Sequence, residues 1–261
     1  MSAHHPRPIV LLPPSKGKAP GGDGPGYGDT LDPDHPLTAA RREILMAAIA
    51  VGRDADDQVL RRVAGVRHQD VPSARAGLRA LATAPTLPAQ RRYTGVVHGN
   101  AGLAGMDPDR AGVEVRIISA LLGVVAPGEG VPPYRLEVAA SVPGVGGLAR
   151  FWREALAPHL AAGWAGRVVL DLLPAEHRRV LDPAVREGTR MVPVSFLRPD
   201  GRAANAARTK VAKGLLVAQL LARDHLDADD VLPGALVRDL APPPGWELAV
   251  AGDGLTAVYL G

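Results

Sequence analysis

The stretch Pro13-Pro14-Ser15-Lys16-Gly17-Lys18 places one hydroxyl and two ammonium groups in a single tight segment, directly after an apolar run. At the carboxyl end of a strand such a set can hold an anion, typically a phosphate. The spacing of a Walker A loop is absent. A second group is Pro133-Tyr134-Arg135-Leu136-Glu137. On a strand, Arg135 and Glu137 would project from one face, and Tyr134 and Leu136 from the other. A cation and a carboxylate two apart can pair with each other, or can grip a polar ligand together. A third group spans Arg202 to Lys213, where Arg202, Arg208, Lys210 and Lys213 form a basic helical segment without an acid. Lys210 and Lys213 are three apart and are expected to share a face. Gly214 follows and would allow a ligand or another backbone to come close. A basic helix face of this kind suits phosphate or nucleic acid. Val63-Ala64-Gly65-Val66, between two helical stretches, is a weak match to a helix–hairpin–helix, with one glycine where two are typical.

Other chemistries lack support. Histidines stand at 4, 5, 35, 68, 98, 159, 177 and 225, and none forms an H-x-x-x-H or H-E-x-x-H pattern. His98 and His177 lie near the other motifs as candidate ligands or bases. Ser15, Ser119, Ser141 and Ser195 have no nucleophile-elbow context. Gly144-Val145-Gly146-Gly147 lacks the dinucleotide fingerprint. We therefore expect no metal and no cofactor.

The elements that must position these groups follow from local pattern. Ile9 to Leu12 reads as a buried strand that feeds the Ser15–Lys18 loop. The glycine-rich Gly21 to Gly28 stretch cannot pack a core and reads as an irregular, mobile loop. Thr38 is expected to cap a helix over 39–51. A second helix is expected over 56–64 with Gly65 as its stop, and a third over 73–82. Pro85 and Pro88 bound a linker. Strands are expected at 113–122, 134–138, 167–173 and 191–197, and helices at 148–162 and, longest, 203–224. Pro174 opens a short helix, and Pro199-Asp200-Gly201 makes a turn. A closing hairpin joins 246–250 to 256–260 around Gly252-Asp253-Gly254. Strands and helices mix without strict alternation or internal repeat. The expected class is α+β, a single domain over 1–261 with a helical part at about 38–82 and a mixed sheet with helices at about 90–261.

Composition narrows the function classes. The 261 residues contain no cysteine, which excludes disulfides, a thiol nucleophile and thiolate-ligated metal. Aromatics are 3%, too few for a base-stacking platform. The net charge of +3 excludes a bulk polycation but permits a local basic cleft. Of 30 basic residues only Lys16, Lys18, Lys210 and Lys213 are lysine, and they fall in two motifs. Ammonium and guanidinium are not interchangeable at a tight anion or nucleophile site, so these lysines are candidates for function. No stretch is long enough to span a membrane and no signal segment is evident, so a cytoplasmic location without membrane partners is expected.

Taken together, several segments resemble the YaaA family of bacterial proteins. They are Leu11-Leu12-Pro13-Pro14-Ser15-Lys16, Arg92-Tyr93-Thr94-Gly95, Ile118 to Val125, Pro133-Tyr134-Arg135-Leu136-Glu137, Phe151-Trp152, Val168 to Leu172 with Glu176, and Lys210-Val211-Ala212-Lys213-Gly214. The resemblance implies one α+β fold with a positively charged cleft and a helix–hairpin–helix-like element. It also implies an association with peroxide stress through low free iron, with DNA as a proposed partner and no generally established reaction. Without a thiol, any part in peroxide defence is indirect. The chain departs from the family pattern at Asp171, Pro174 and His177, at Asn205-Ala206-Ala207-Arg208-Thr209 and at Ala120-Leu121-Leu122-Gly123. Changes near a cleft leave room for a diverged enzyme of a specialised pathway.

Two functional expectations follow. In the first, Lys16, Lys18, Arg208, Lys210 and Lys213 contact phosphates of DNA or another polyphosphate. In the second, an enzyme binds a small anionic or nucleotide-like substrate. Ser15 and Lys16 hold its anionic group, Arg135 clamps it, and Glu137 or Glu176 acts as general acid or base. Lys16 could itself take part in the chemistry, and Tyr93 and Tyr134 would line the ligand site. A third possibility is a non-catalytic interaction protein. Oligomeric state is not legible.

Overall fold

The computed structural model describes residues 6–260; His4 and His5 lie outside the described residues. In chain order the elements are β1 (Ile9–Leu12), α1 (Thr38–Asp54), α2 (Asp57–Ala64), α3 (Val71–Arg79), β2 (Leu87–Pro88), α4 (Ala89–Arg92), α5 (Val96–Asn100), β3 (Glu114–Ser119), β4 (Gly123–Val125), β5 (Gly130–Val131), β6 (Ser141–Val142) and β7 (Gly146–Gly147). They continue with α6 (Leu148–Trp164), β8 (Val168–Asp171), α7 (Ala175–Arg178), α8 (Pro183–Glu187), β9 (Arg190–Leu197), α9 (Ala206–Leu221), α10 (Pro233–Asp239), β10 (Trp246–Ala251) and β11 (Gly254–Tyr259).

Seven strands form a mixed sheet in the order β10-β11-β9-β8-β1-β3-β4, and the class is α+β as expected. β1 has no polar residue and no exposed side chain, as a strand covered on both faces must. It pairs in parallel with β3 on one side and β8 on the other, with Leu11 opposite both Arg116 and Asp171. β8, β9 and β11 continue the parallel run, and antiparallel β4 and β10 close the two edges. The buried hydrophobic residues form a cluster that runs from Ile9 to Ala257. α1 is tied to the β4 edge by Arg41, which donates to the carbonyls of Leu122 and Val124 and pairs with Glu129 at 3.0 Å. No helix among the described residues is long and apolar enough to cross a membrane.

Some expectations shift. Thr38 does not cap α1; its hydroxyl donates to the carbonyl of Asp32 while Leu37 occupies the cap position. The run at 113–122 is a strand only through Ser119, after which the chain turns into β4. Ser119 Oγ accepts from the Leu121 and Leu122 amides, and Trp152 of α6 donates to Ala120 O at 2.8 Å. The Gly21–Gly28 loop is tied down rather than free. The amides of Gly24, Tyr27 and Gly28 donate to the carbonyls of Thr86, Ala84 and Ala82, and the buried Arg92 guanidinium reaches Ala19, Gly21, Pro85 and Val131 carbonyls. Arg92 is wholly buried and therefore needs those acceptors.

The largest correction concerns 134–138, which is not a strand. Pro132 and Pro133 offer no N–H to a ladder. The following backbone bonds instead to the end of α2, where the Glu137 amide donates to Val63 O at 3.0 Å. Arg135 and Glu137 therefore do not share a strand face. α2 itself is as read, with Asp56 accepting from the Val59 amide at its start and Gly65 left-handed at its stop.

Candidate functional site

β1 ends at Leu12, and β8 beside it ends at Asp171. The chain leaves β1 toward β3 and later returns to β8 on the opposite side. Segments leaving two neighbouring parallel strands at such a reversal diverge and open a crevice beyond their carboxyl ends. Here the crevice is bounded by the Pro13–Lys18 segment, the irregular 134–138 segment, the end of α2 and the start of α7.

The crevice has two adjoining chambers. The smaller, about 70 Å³, is lined by Ser15, Lys16, Lys18, Arg135, Glu137 and Glu176 among others, with His177 beside them. The larger, about 650 Å³, extends over Gly65, Val66, Arg67, Asp70 and Ser73. Lys18, Tyr134 and Arg135 line both and form the divide.

Each side chain is held differently. Lys16 is 76% exposed and pairs with Glu137 at 2.9 Å. The Glu137 side chain lies against Gly65, where a Cβ would fall 2.1 Å from Oε1, so only glycine fits that left-handed stop. Ser15 is buried and its hydroxyl donates to Gly17 O. Lys18 turns inward. Its Nζ donates to Ser15 O at 2.8 Å and lies 4.1 Å from the Tyr134 ring centre and 5.5 Å from that of Tyr93. Burial and the charges of Arg135 and Arg92 push its pKa down to about 7, against the opposing pull of Glu137. Tyr134 and Tyr93 are buried and joined through their hydroxyls at 3.0 Å, and Tyr134 also meets Ser119 Oγ at 2.9 Å. Burial raises both phenols, which keeps them protonated.

Beneath the crevice, Lys213 is buried and donates to Leu172 O at 2.6 Å, with Phe196 at 5.4 Å. Burial lowers its pKa to about 8, partly offset by Asp171. Asp171 is itself buried and pairs with Arg178 at 2.5 Å. Of Asp171 and His177, two of the departures from the YaaA pattern, only His177 lines the crevice, while Asp171 lies buried at the end of β8. Burial lowers the pKa of His177 and favours its neutral imidazole, which faces the small chamber. His98 donates from Nε2 to Pro13 O at 2.9 Å and packs on Tyr93, and burial drives its pKa down to about 4.

The structure therefore brings Ser15, Lys16, Lys18, Tyr134, Arg135, Glu137 and Glu176 together, with Tyr93 behind them and Lys213 below. It does not bring in Arg208 or Lys210. Arg208 packs over Tyr259 of β11 at 4.4 Å, and Lys210 is exposed outside both chambers. Lys210 and Lys213 do not act as one face, because Lys213 is buried. Gly214 lets another backbone approach, not a ligand: a Cβ there would meet Asn100 and Val97 of α5. Arg92, which anchors the loop carrying Lys18, had no local signal. Its four acceptors come from three separated segments of the chain.

These features define an α+β protein of mixed sheet whose crevice opens at the carboxyl ends of β1 and β8. The chain belongs to the family described as peroxide stress protein YaaA, whose pattern matches residues 9–233. It is 32% identical over 221 residues to a UPF0246 protein of Streptomyces coelicolor, covering 82% of this chain and 83% of the relative. It is 30% identical over 235 residues to a UPF0246 protein of Lactobacillus delbrueckii subsp. bulgaricus, covering 87% and 89%. A UPF0246 protein of Corynebacterium efficiens is 33% identical over 182 residues, covering 69% and 67%.

Proposed function

We propose that this member of the peroxide stress family binds a small phosphate-bearing, nucleotide-like molecule in the two-chamber crevice. The observation that carries the reading is the convergence of Ser15, Lys16, Lys18 and Arg135, from two distant segments, on one small chamber. Its neighbour, at about 650 Å³, falls within the roughly 300–1,000 Å³ common for small-molecule sites. The phosphate would sit against Lys16 and Arg135, displacing the Glu137 carboxylate from Lys16. The rest of the ligand would extend over Gly65 toward Ser73.

Extended DNA is the weaker reading. Of the five cations assigned to phosphate contacts, Lys213 is buried, and Arg208 and Lys210 lie outside the chambers. If the protein catalyses a reaction on its ligand, His177 joins Glu137 and Glu176 as a general acid or base. A neutral imidazole facing the chamber can accept a proton at neutral pH.

Thermal shift and titration calorimetry test the reading. A nucleoside monophosphate should raise Tm, and Arg135→Ala should weaken its binding about tenfold. Stabilisation by a short DNA duplex alone, with affinity falling steeply with salt, would replace this reading with the DNA one.

A further inference from the structure

We propose that Lys18 is a nucleophilic amine that forms an imine with an aldehyde or ketone carbonyl of a phosphate-bearing ligand held in the crevice. The proposal rests on the anion-binding reading above and adds a covalent step to it.

Four observations support Lys18 over the other lysines. It lines both chambers, so a ligand spanning them passes its amine. Its hydrogen bond goes to a carbonyl, Ser15 O, at 2.8 Å, which orients the nitrogen without requiring a charge. Among the described residues no carboxylate lies within ion-pairing distance of it, because Glu137 pairs with Lys16. The rings of Tyr134 and Tyr93 flank the Lys18 Nζ on one side, at 4.1 and 5.5 Å, and their hydroxyl network with Ser119 fixes the rings. Lys16 is exposed and ion-paired, Lys210 is exposed away from the chambers, and Lys213 is buried on Leu172 O outside both. Desolvation beside Arg135 and Arg92 makes a substantial share of the Lys18 amine neutral near pH 7.

The step balances without an oxidant or reductant. The Lys18 nitrogen lone pair attacks the carbonyl carbon, and the C=O π pair moves to oxygen, which takes up a proton as the nitrogen loses one. The resulting carbinolamine expels water as the C=N bond forms. Arg135 would hold the phosphate, and the His177 imidazole or the Glu137 carboxyl lies in the same chamber to move the protons.

The test uses the full chain and pyridoxal 5′-phosphate as a probe that carries both an aldehyde and a phosphate. Substoichiometric probe is added, the imine is reduced with borohydride, and peptides are mapped. With only four lysines the labelled position is read directly. The expected label is on Lys18, at least about tenfold above Lys16 and Lys210. The rate should rise with pH around a midpoint near 7, and inorganic phosphate should slow it. Lys18→Arg, which keeps the cation, should lose the imine absorbance. Label mainly on Lys16, Lys210 or Lys213 would overturn the proposal. Binding that inorganic phosphate displaces, with no label on Lys18, would keep the anion site and remove the nucleophile. Lys18 label indifferent to inorganic phosphate would keep the amine and overturn the ligand class.

Discussion

The two ends of the central parallel strands treat charge in opposite ways. At the amino end, Glu114 at the start of β3 accepts from both Arg116 and Arg167. Arg167 also donates to Arg7 O at 2.5 Å, and Arg7 donates to the carbonyls of Pro108 and Ala111 at 2.8 Å each. These cations are spent on the protein's own acceptors. At the carboxyl end Arg178 is paired with the buried Asp171, but Lys18 and Lys213 rest on carbonyl oxygens and ring faces, and Lys16, paired with Glu137, is exposed. A carbonyl or a ring face is a weaker partner for a cation than a carboxylate, so an incoming anion can compete for it. The closed end holds strands together, and the open end is where the proposed ligand would bind.

The contrast can be broken at several points. The largest expected effect is at the closed end. Glu114→Ala leaves Arg116 and Arg167 partly buried without their counter-ion and should cost about 3 kcal/mol in urea unfolding. Ligand affinity should not change; a parallel loss of affinity would show that the two ends are not separate.

The next effect is at the open end and depends on acid. His98 has a folded pKa of about 4 against 6.5 when unfolded. As pH falls below 6.5 the unfolded chain takes up the proton first. Stability from this group is therefore full above 6.5, falls down to pH 4, and amounts to up to roughly 3 kcal/mol. His98→Gln, which can still donate to Pro13 O, should flatten that slope when unfolding is followed from pH 7 to 4. A slope equal to that of the parent would mean that another group carries it.

Glu137→Gln comes third and sharpens the contrast from the other side. It keeps the shape against Gly65 and removes the charge competing for Lys16. Stability should change by less than about 1 kcal/mol, as for an exposed pair, while phosphate-bearing ligands should bind roughly three- to tenfold tighter by calorimetry. Weaker binding would mean that the carboxylate contacts the ligand directly. The smallest effect is expected from Lys210→Ala, within about 0.5 kcal/mol and without change in affinity. A measurable loss of binding would return the α9 surface to the site.

What was readable in the chain was local. The Ile9–Leu12 run, the closing hairpin around Gly252 and the Asp56 and Gly65 ends of α2 each draw their signal from residues next to one another. Tyr134 to Val138 alternates like a strand, yet its backbone is claimed by the distant end of α2. The lysine pair on α9 failed for a different reason. Three residues on a helix leave an angle of roughly 60°, enough to put Lys213 inside the buried stripe and Lys210 outside it.

The sequence by itself determined that no thiol chemistry occurs here, that a strand delivers Ser15, Lys16 and Lys18 together, and that ammonium groups are confined to two places. Composition and short-range pattern suffice for such statements. Only the tertiary structure decided which ammonium is ion-paired, which is buried beneath the crevice, and which stands between two chambers on a carbonyl and two ring faces. Those differences come from desolvation and from partners such as Tyr93, Tyr134 and Arg135, which folding brings to Lys18 from far along the chain.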